Sequence, residues 1–171
     1  MAFFRTPAGN IHPAVKGAAG ATAAWLVIAV ALVAPSEGLY TKAYYDIVGV
    51  KTVCYGATAA DGVDLTRTYT PAECRAILSK DLVKYDKMVH SCIHVAIPPN
   101  REGALVDFTY NLGQGALCHG AVARDLNAGN VAAGCYAMLA YDHGRVHGRM
   151  QKIKGLTARR HLEYPLCLKD Y

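Results

Sequence analysis

Three polar side chains near the start of the chain are of types that can hydrolyse a glycosidic bond. Glu37 follows a long apolar run, Asp46 comes nine residues later, and Thr52 six residues after that. Glycoside hydrolysis needs one carboxylic acid to protonate the leaving oxygen, and a second carboxylate that acts on the opposite face of the sugar. Because carboxylates at this spacing also occur on solvated surfaces, the trio alone is weak evidence for such chemistry.

The local elements around this trio are predicted to bring it to one place. Glu37 ends a helical segment, whereas Asp46 and Thr52 flank a stretch that resembles a hairpin. One helix end and one hairpin can face each other across a cleft. That arrangement would supply two carboxylates and a hydroxyl to one point.

The rest of the chain predicts mostly helices. Thr70 as N-cap, a proline after it and Glu73 three residues on predict a helix over 70–90. Further helices are predicted over residues 100–110, 116–126, 131–141 and 157–166, and a loop over 142–155. Together these elements predict an α+β fold, with a small β-lobe followed by a mostly helical lobe.

Composition narrows the class of protein. The 171 residues suit one domain with an appendage, and 53% of them are hydrophobic. Only 18% are charged, against about 25% in typical domains, which excludes a mainly disordered chain. The net charge of +5 favours polyanions such as an anionic cell-wall polymer. The basic residues are scattered apart from the pair Arg159-Arg160, so no nucleic-acid partner is predicted.

An uncharged run over residues 17–34 predicts membrane contact. Its length is close to the roughly 20 residues that span a bilayer as a helix. Arg5 and Lys16 precede it and Glu37 is the first charge after it, which places the N-terminus in the cytoplasm. Ten of these 18 residues are Gly or Ala, so the run should hold the bilayer weakly.

Three interpretations of this run stay open. It is a signal peptide cleaved at the small-x-small site Ala29-Val30-Ala31, a permanent anchor, or an anchor weak enough to leave the membrane. The site for cleavage lies inside the apolar run, where cleavage is unfavourable. A buried core helix is disfavoured, because the run has no polar face.

The cysteines and histidines give weak metal signals. No two of the six cysteines have Cys-x-x-Cys spacing, and their even number predicts three disulfides in an oxidising compartment. Six cysteines allow 15 pairings. His143 and His147 have metal-ligand spacing for a helix, but the glycines around them argue against a helix. We predict neither a metal nor a cofactor.

The stretch over residues 37–56 resembles the active-site region of phage-type lysozymes, the T4-lysozyme-like endolysins of glycoside hydrolase family 24. It reads E-G-x(5)-Y-x-D-x(2)-G-x(2)-T-x-C-Y-G. Further matches follow in order over residues 70–74, 80–82, 108–115, 126–129 and 155–167. The resemblance covers about residues 36–168 and implies the lysozyme-like fold.

This resemblance implies a role for each member of the trio. Glu37 would be the general acid, Asp46 would stabilise the transition state and orient water, and Thr52 would help to position that water. The reaction would be an inverting hydrolysis of the β-1,4 link between N-acetylmuramic acid and N-acetylglucosamine in peptidoglycan. Asn111 and Gln114 are candidates for hydrogen bonds to the glycan, and Tyr55 for stacking on a sugar. By fold analogy the disulfides would be Cys54–Cys74, Cys92–Cys118 and Cys135–Cys167.

The N-terminal run resembles the signal-anchor-release segment of some phage endolysins. This implies an anchor over residues 1–36 that contacts the export machinery and the host inner membrane, and a catalytic domain over residues 37–171. The domain would stay inactive at the periplasmic face, and release would make it a soluble, monomeric periplasmic enzyme. Residues 1–36 contain no cysteine, so rearrangement rather than disulfide exchange would control activity. A non-catalytic, membrane-tethered wall-binding protein is the alternative function.

Overall fold

The computed structural model describes residues 23–46 and 49–170. Its helices and strands are, in chain order, α1 (Ala24–Glu37), β1 (Tyr40–Tyr45), β2 (Lys51–Cys54), α2 (Pro71–Cys92), α3 (Pro99–Leu112), α4 (Gln114–Cys118), α5 (Ala121–Asn127), α6 (Val131–Ala137), β3 (His143–Val146), β4 (Arg149–Lys152) and α7 (Lys154–Cys167). Short 3-10 turns lie at Ala59–Asp61 and Met138–Ala140. A hairpin lobe followed by a mostly helical lobe confirms the predicted α+β fold.

The first helix contains the second half of the apolar run; residues 17–22 lie outside the described part of the chain. α1 packs on α3, with Ala29 and Val33 fully buried. Gly103 of α3 allows this contact, because a Cβ there would lie 2.7 Å from Ile28 Cγ2. The sequence disfavours a buried core helix here, because the run has no polar face. α1 nevertheless packs into the core, and its solvent-facing side is apolar, with Val27 57% exposed.

Further observations concern the length and the end of this helix. Within the described residues, no helix is both long and apolar enough to cross a membrane. The predicted boundary between an anchor (1–36) and a catalytic domain (37–171) falls inside α1, which ends at Glu37. Gly38 has a positive φ of 75° and turns the chain from α1 towards β1.

The central helix is α3, which is buried around most of its circumference. Ala104, Leu105, Val106 and Phe108 are all fully buried, and α1, α2 and α7 pack around them. α2 begins as predicted: Thr70 Oγ1 accepts from the Glu73 amide, and Glu73 Oε2 accepts from the Thr70 amide at 2.7 Å. α3 begins at Pro99, one residue earlier than predicted, because proline suits the first turn of a helix.

Two helix predictions were partly wrong. The helix predicted over 116–126 is broken into α4 and α5, because Gly120 is extended (φ −95°, ψ 176°) and forms the N-cap of α5. The helix predicted over 131–141 ends at Ala137 and continues only as a 3-10 turn. The helix predicted over 157–166 is present as α7 and begins three residues earlier.

The loop predicted over 142–155 was wrong. β3 and β4 form an antiparallel hairpin there, with Val146 paired to Arg149. The turn residues His147 and Gly148 both have positive φ, as two-residue hairpin turns require. Most side chains of this hairpin are exposed, so the sequence carried no alternation of apolar and polar residues.

Three disulfides join the elements. Cys54–Cys74 ties β2 to α2, Cys92–Cys118 ties α2 to α4, and Cys135–Cys167 ties α6 to α7. The predicted pairings are confirmed. All three bonds lie in the part of the chain that carries the candidate site, and the first fixes the hairpin to the helical lobe.

Candidate active site

Glu37 lies on the wall of a cleft of about 340 Å³. Its side chain is 30% exposed. The residues that line this cleft come from the ends of α1 and α3 and from the start of α7: Ser36, Glu37, Asn111, Ile153, Gly155, Leu156 and Arg159. A partly exposed carboxyl at a helix end can therefore meet a substrate from the open side while the helix fixes its position.

Arg159 holds the Glu37 carboxyl from the interior. Arg159 Nη1 donates to Glu37 Oε1 at 3.0 Å. The same guanidinium donates through Nε and Nη2 to both carboxylate oxygens of Asp107, at 3.1 and 2.7 Å. Asp107 is fully buried on α3. A two-pronged contact of this kind fixes the plane of the guanidinium, and so fixes where Nη1 points.

A second arginine extends the network. Arg160 Nη2 donates to Glu163 Oε1 at 2.7 Å and to Asn111 Oδ1 at 2.9 Å, and its guanidinium lies 4.8 Å from the centre of the Phe108 ring. Burial, with the nearby Asp107 carboxylate, raises the pKa of Glu163. The network therefore combines three carboxyl groups, counting Glu37, with two guanidinium groups, and protonation of Glu163 relieves the excess negative charge.

The hairpin carries the other two residues of the trio. Asp46 directly follows β1, and its Oδ1 accepts from the Val50 amide at 2.8 Å, which closes the turn. Thr52 lies in β2, paired with Tyr44 of β1. It is only 4% exposed, and its Oγ1 has no hydrogen-bond partner within the described residues. A buried hydroxyl without a protein partner is suited to bind a water molecule.

Tyr110 connects the helical lobe to the hairpin lobe. Tyr110 of α3 donates its hydroxyl to the Tyr55 carbonyl at 3.0 Å, and its ring centre lies 4.9 Å from that of Tyr85 on α2. Burial first, and then the charge of Glu37, raise the pKa of Tyr110. Its phenol therefore stays protonated and remains a donor across the two lobes.

Comparison with known proteins identifies the family. The sequence model for the family Phage lysozyme matches residues 34–163. A SAR-endolysin of Bacteriophage PS119 is 35% identical over 93% of this chain and 92% of its own length. The chain belongs to the phage lysozyme family. It is therefore a glycoside hydrolase of the lysozyme type.

Two solved structures have the same fold. The endolysin from Escherichia coli O157:H7 phage FAHEc1 has a TM-score of 0.74 and 27% identity, over 95% of this chain and 97% of its own. The muramidase domain of SpmX from Asticaccaulis excentricus has a TM-score of 0.74 and 28% identity, over 82% and 95% of the two chains. The predicted lysozyme-like architecture is thus confirmed.

The residues predicted for glycan binding are placed differently in this lysozyme-family site. Asn111 lines the cleft beside Glu37. Gln114 does not line it and donates instead to Ser91 Oγ at 2.7 Å. Tyr55 is only 7% exposed and contacts Tyr110 through its carbonyl. Its buried ring leaves little surface for a sugar.

The sequence predicts only part of the most enclosed region of the site. Arg159 and Arg160 stand out as a basic pair, and in the structure both form ion pairs with buried carboxyl groups, but Asp107 is not predicted as a partner. The available signal was a single carboxylate between apolar residues, in the stretch Leu105-Val106-Asp107-Phe108. A buried carboxylate needs a cation or hydrogen-bond donors beside it, and only the fold shows that Arg159 supplies them.

Proposed function

We propose that this protein is an endolysin, a muramidase that cleaves the β-1,4 link between N-acetylmuramic acid and N-acetylglucosamine in peptidoglycan. The observation that carries this proposal is the position of Glu37, partly exposed on a cleft and oriented by Arg159 in a chain of the phage lysozyme family. The net charge of +5 favours a polymer that bears carboxylates.

In this mechanism the three residues have separate tasks. Glu37 donates its proton to the glycosidic oxygen as the bond to the leaving sugar breaks. Asp46 stabilises the positive charge that develops on the sugar ring and orients a water molecule on its far face. Thr52 holds that water through the hydroxyl that has no partner within the described residues. The water attacks the anomeric carbon once and passes its proton to the Asp46 carboxylate, so the configuration at that carbon inverts.

We also propose that residues 17–34 first hold the protein in the host inner membrane, with the catalytic part on the periplasmic side. Relatives named SAR-endolysins support this arrangement. Residues 24–34 cannot lie in lipid and pack on α3 at the same time. The tethered protein therefore lacks the α1–α3 contact, and with it the placement of Glu37, until the segment leaves the membrane and the enzyme becomes soluble in the periplasm.

The buried face of α1 argues against cleavage of the segment. A cut after Ala31 would remove residues 24–31 from the enzyme. That stretch includes Ala29, which is fully buried, and Ile28, which packs on Gly103. The released enzyme should therefore retain its whole N-terminal segment, and mass spectrometry of protein from the periplasm should give the uncleaved mass.

Lysis of a Gram-negative host tests the enzyme and its release together. Cells that express the full chain should clear rapidly only after an uncoupler collapses the membrane potential. Glu37→Gln should abolish clearing, whereas Glu73→Gln, the same change at an exposed helix cap, should not. No lysis by the parent chain despite confirmed export would overturn the muramidase. Equal lysis by Glu37→Gln would overturn the role of Glu37 and favour the wall-binding alternative.

A second variant isolates the docking of α1. Gly103→Leu places side-chain atoms where Ile28 and the Trp25 carbonyl lie, 2.7 and 2.9 Å from a Cβ at that position. It leaves the hydrophobicity of residues 17–34 unchanged. We expect normal export and release into the soluble fraction without lysis. Gly115→Ala, where a Cβ has open space, is the control, and lysis by Gly103→Leu at the parent rate would contradict the required docking.

A further inference from the structure

Asp86, His90 and Glu102 form a polar cluster where the C-terminal part of α2 meets the first turn of α3. Asp86 and His90 are four residues apart on α2 and therefore share a face of that helix. Glu102 comes from α3. One candidate ligand atom of each residue lies within 4.8 Å of the other two. None of the three lines the cleft that contains Glu37, so this cluster is separate from the proposed catalysis.

The distances in the cluster are those between neighbouring ligands of one small cation. His90 Nε2 lies 3.0 Å from Glu102 Oε1 and 3.4 Å from Asp86 Oδ1. Ligands at the roughly 2.0–2.1 Å bond lengths of zinc stand about 3.3 Å apart at the corners of a tetrahedron. The imidazole nitrogen thus already has ligand-to-ligand spacing to both carboxylates.

Hydrogen bonding alone leaves the cluster incomplete. An imidazole Nε2 carries at most one proton and can donate it to only one carboxylate. Glu102 Oε1 is the nearer acceptor. Asp86 Oδ1 is removed from solvent and has no hydrogen-bond partner within the described residues. Buried carboxylate oxygens are seldom left in that state, and a cation beside His90 Nε2 would give Asp86 Oδ1 a partner.

The charges in the cluster favour the same ligand. Two carboxyl groups share a half-buried space, and within the described residues each lies at ion-pair distance from His90. A divalent cation would neutralise both carboxylates at once.

We propose that Asp86, His90 and Glu102 bind a divalent transition-metal cation, of which Zn²⁺ is the representative. An imidazole nitrogen with two carboxylates suits Zn²⁺, whereas Ca²⁺ and Mg²⁺ prefer sets of oxygen ligands. The His90 side chain is 47% exposed, which leaves room for water at a fourth position. The bound ion links α2 to α3, close to the disulfide through which Cys92 joins α2 to α4.

Titration of the full chain with Zn²⁺ tests this proposal. The protein keeps its disulfides and is freed of metals with a chelator before calorimetry at pH 7.5. We expect one binding event that His90→Ala and Glu102→Gln each weaken at least about tenfold, since loss of even an outer-shell partner costs 10–100-fold. His94→Ala removes an exposed histidine two residues beyond α2 and should leave the affinity unchanged. Ca²⁺ should not compete.

A second measurement uses the parent chain, so its result does not depend on whether a variant folds. Bound Zn²⁺ should protect His90, but not His94, from acylation by diethyl pyrocarbonate, as read by peptide mass spectrometry. Equal acylation of both histidines with and without Zn²⁺ would overturn the proposal. So would unaltered affinity in both ligand variants, or no binding by the parent chain. The last result would leave the hydrogen bond between His90 and Glu102 as the link between α2 and α3 at this point.

Discussion

The two halves of the candidate site are held in opposite ways. On the helical side, Glu37 contacts Arg159, whose guanidinium is fixed by the fully buried Asp107. On the hairpin side, Asp46 is half-buried in a turn, and the Thr52 hydroxyl has no hydrogen-bond partner within the described residues. A general acid must reach one oxygen at hydrogen-bond distance. The opposite side must admit a sugar ring and a water molecule.

This difference has a consequence for the effects of substitutions. The network behind Glu37 belongs to the packed interior between α3 and α7, so damage there should lower stability and activity together. The hairpin is attached through a few specific links, which include Cys54–Cys74 and the hydrogen bond from Tyr110 to Tyr55. Loss of the Asp46 charge or of the Thr52 hydroxyl should lower activity without lowering stability.

The largest effect is expected for Asp107→Ala. Removal of one partner from a buried ion pair costs about 3–5 kcal/mol, because it leaves the other charge uncompensated. Here it would also release Arg159 from its fixed plane, so activity should fall with the free energy of unfolding. Urea unfolding and clearing of permeabilised cells measure the two effects. Asp125→Ala, which breaks an ion pair with the exposed Arg124, is the control, and equal losses in both variants would contradict the special role of the interior network.

The next effect is expected for Asp46→Asn, which removes the charge and keeps the shape. The Asn oxygen still accepts from the Val50 amide, so the turn should persist. Loss of a charge-stabilising group in the transition state lowers kcat about 10²–10³-fold, whereas the free energy of unfolding should stay within about 0.5 kcal/mol. Asp64→Asn, in another exposed turn of the same lobe, should leave kcat unaltered. A parallel loss of stability in Asp46→Asn would show that the hairpin half is also structural.

A smaller, purely structural effect is expected for the double variant Cys54→Ser with Cys74→Ser. The bond closes a loop with a sequence separation of 20 residues, which corresponds to roughly 3 kcal/mol of stabilisation. Hydrogen exchange should increase in β1 and β2. Removal of Cys135–Cys167, with a separation of 32 residues, should lower stability by a similar amount but leave exchange in the hairpin unchanged. Faster hairpin exchange in that control would mean that the disulfides act globally.

The sequence allowed prediction of features that depend on near neighbours. The start of α2 follows from Thr70 and Glu73, which contact each other across one helical turn. The helix end at Glu37 and the hairpin that follows it are likewise contained within a short stretch, residues 37–54. Other predictions, such as the disulfide pairing, depended on resemblance to a family and were not available from spacing.

The features that were missed depend on distant partners or on ambiguous patterns. Arg159 lies 52 residues from Asp107 and 122 residues from Glu37 along the chain, and no local pattern connects them. Most side chains of the β3–β4 hairpin are exposed, so its sequence lacks an alternation of apolar and polar residues. The apolar residues of α1 are suited both to a membrane and to a protein core, so composition alone does not distinguish a membrane segment from a core helix.

The smallest effect is expected for Thr52→Val, in which stability and activity should change in opposite directions. The buried Oγ1 has no partner within the described residues, and an unsatisfied buried polar group costs about 1–3 kcal/mol. Valine has nearly the same shape, so the variant should be more stable by about 1 kcal/mol, while kcat falls because no hydroxyl positions the water. Thr52→Ser should behave in the opposite way: it should retain activity, but lose the stability that the buried methyl group provides. A hydroxyl that lowers stability is expected where activity depends on it, so a Thr52→Val enzyme with full activity would remove Thr52 from the mechanism.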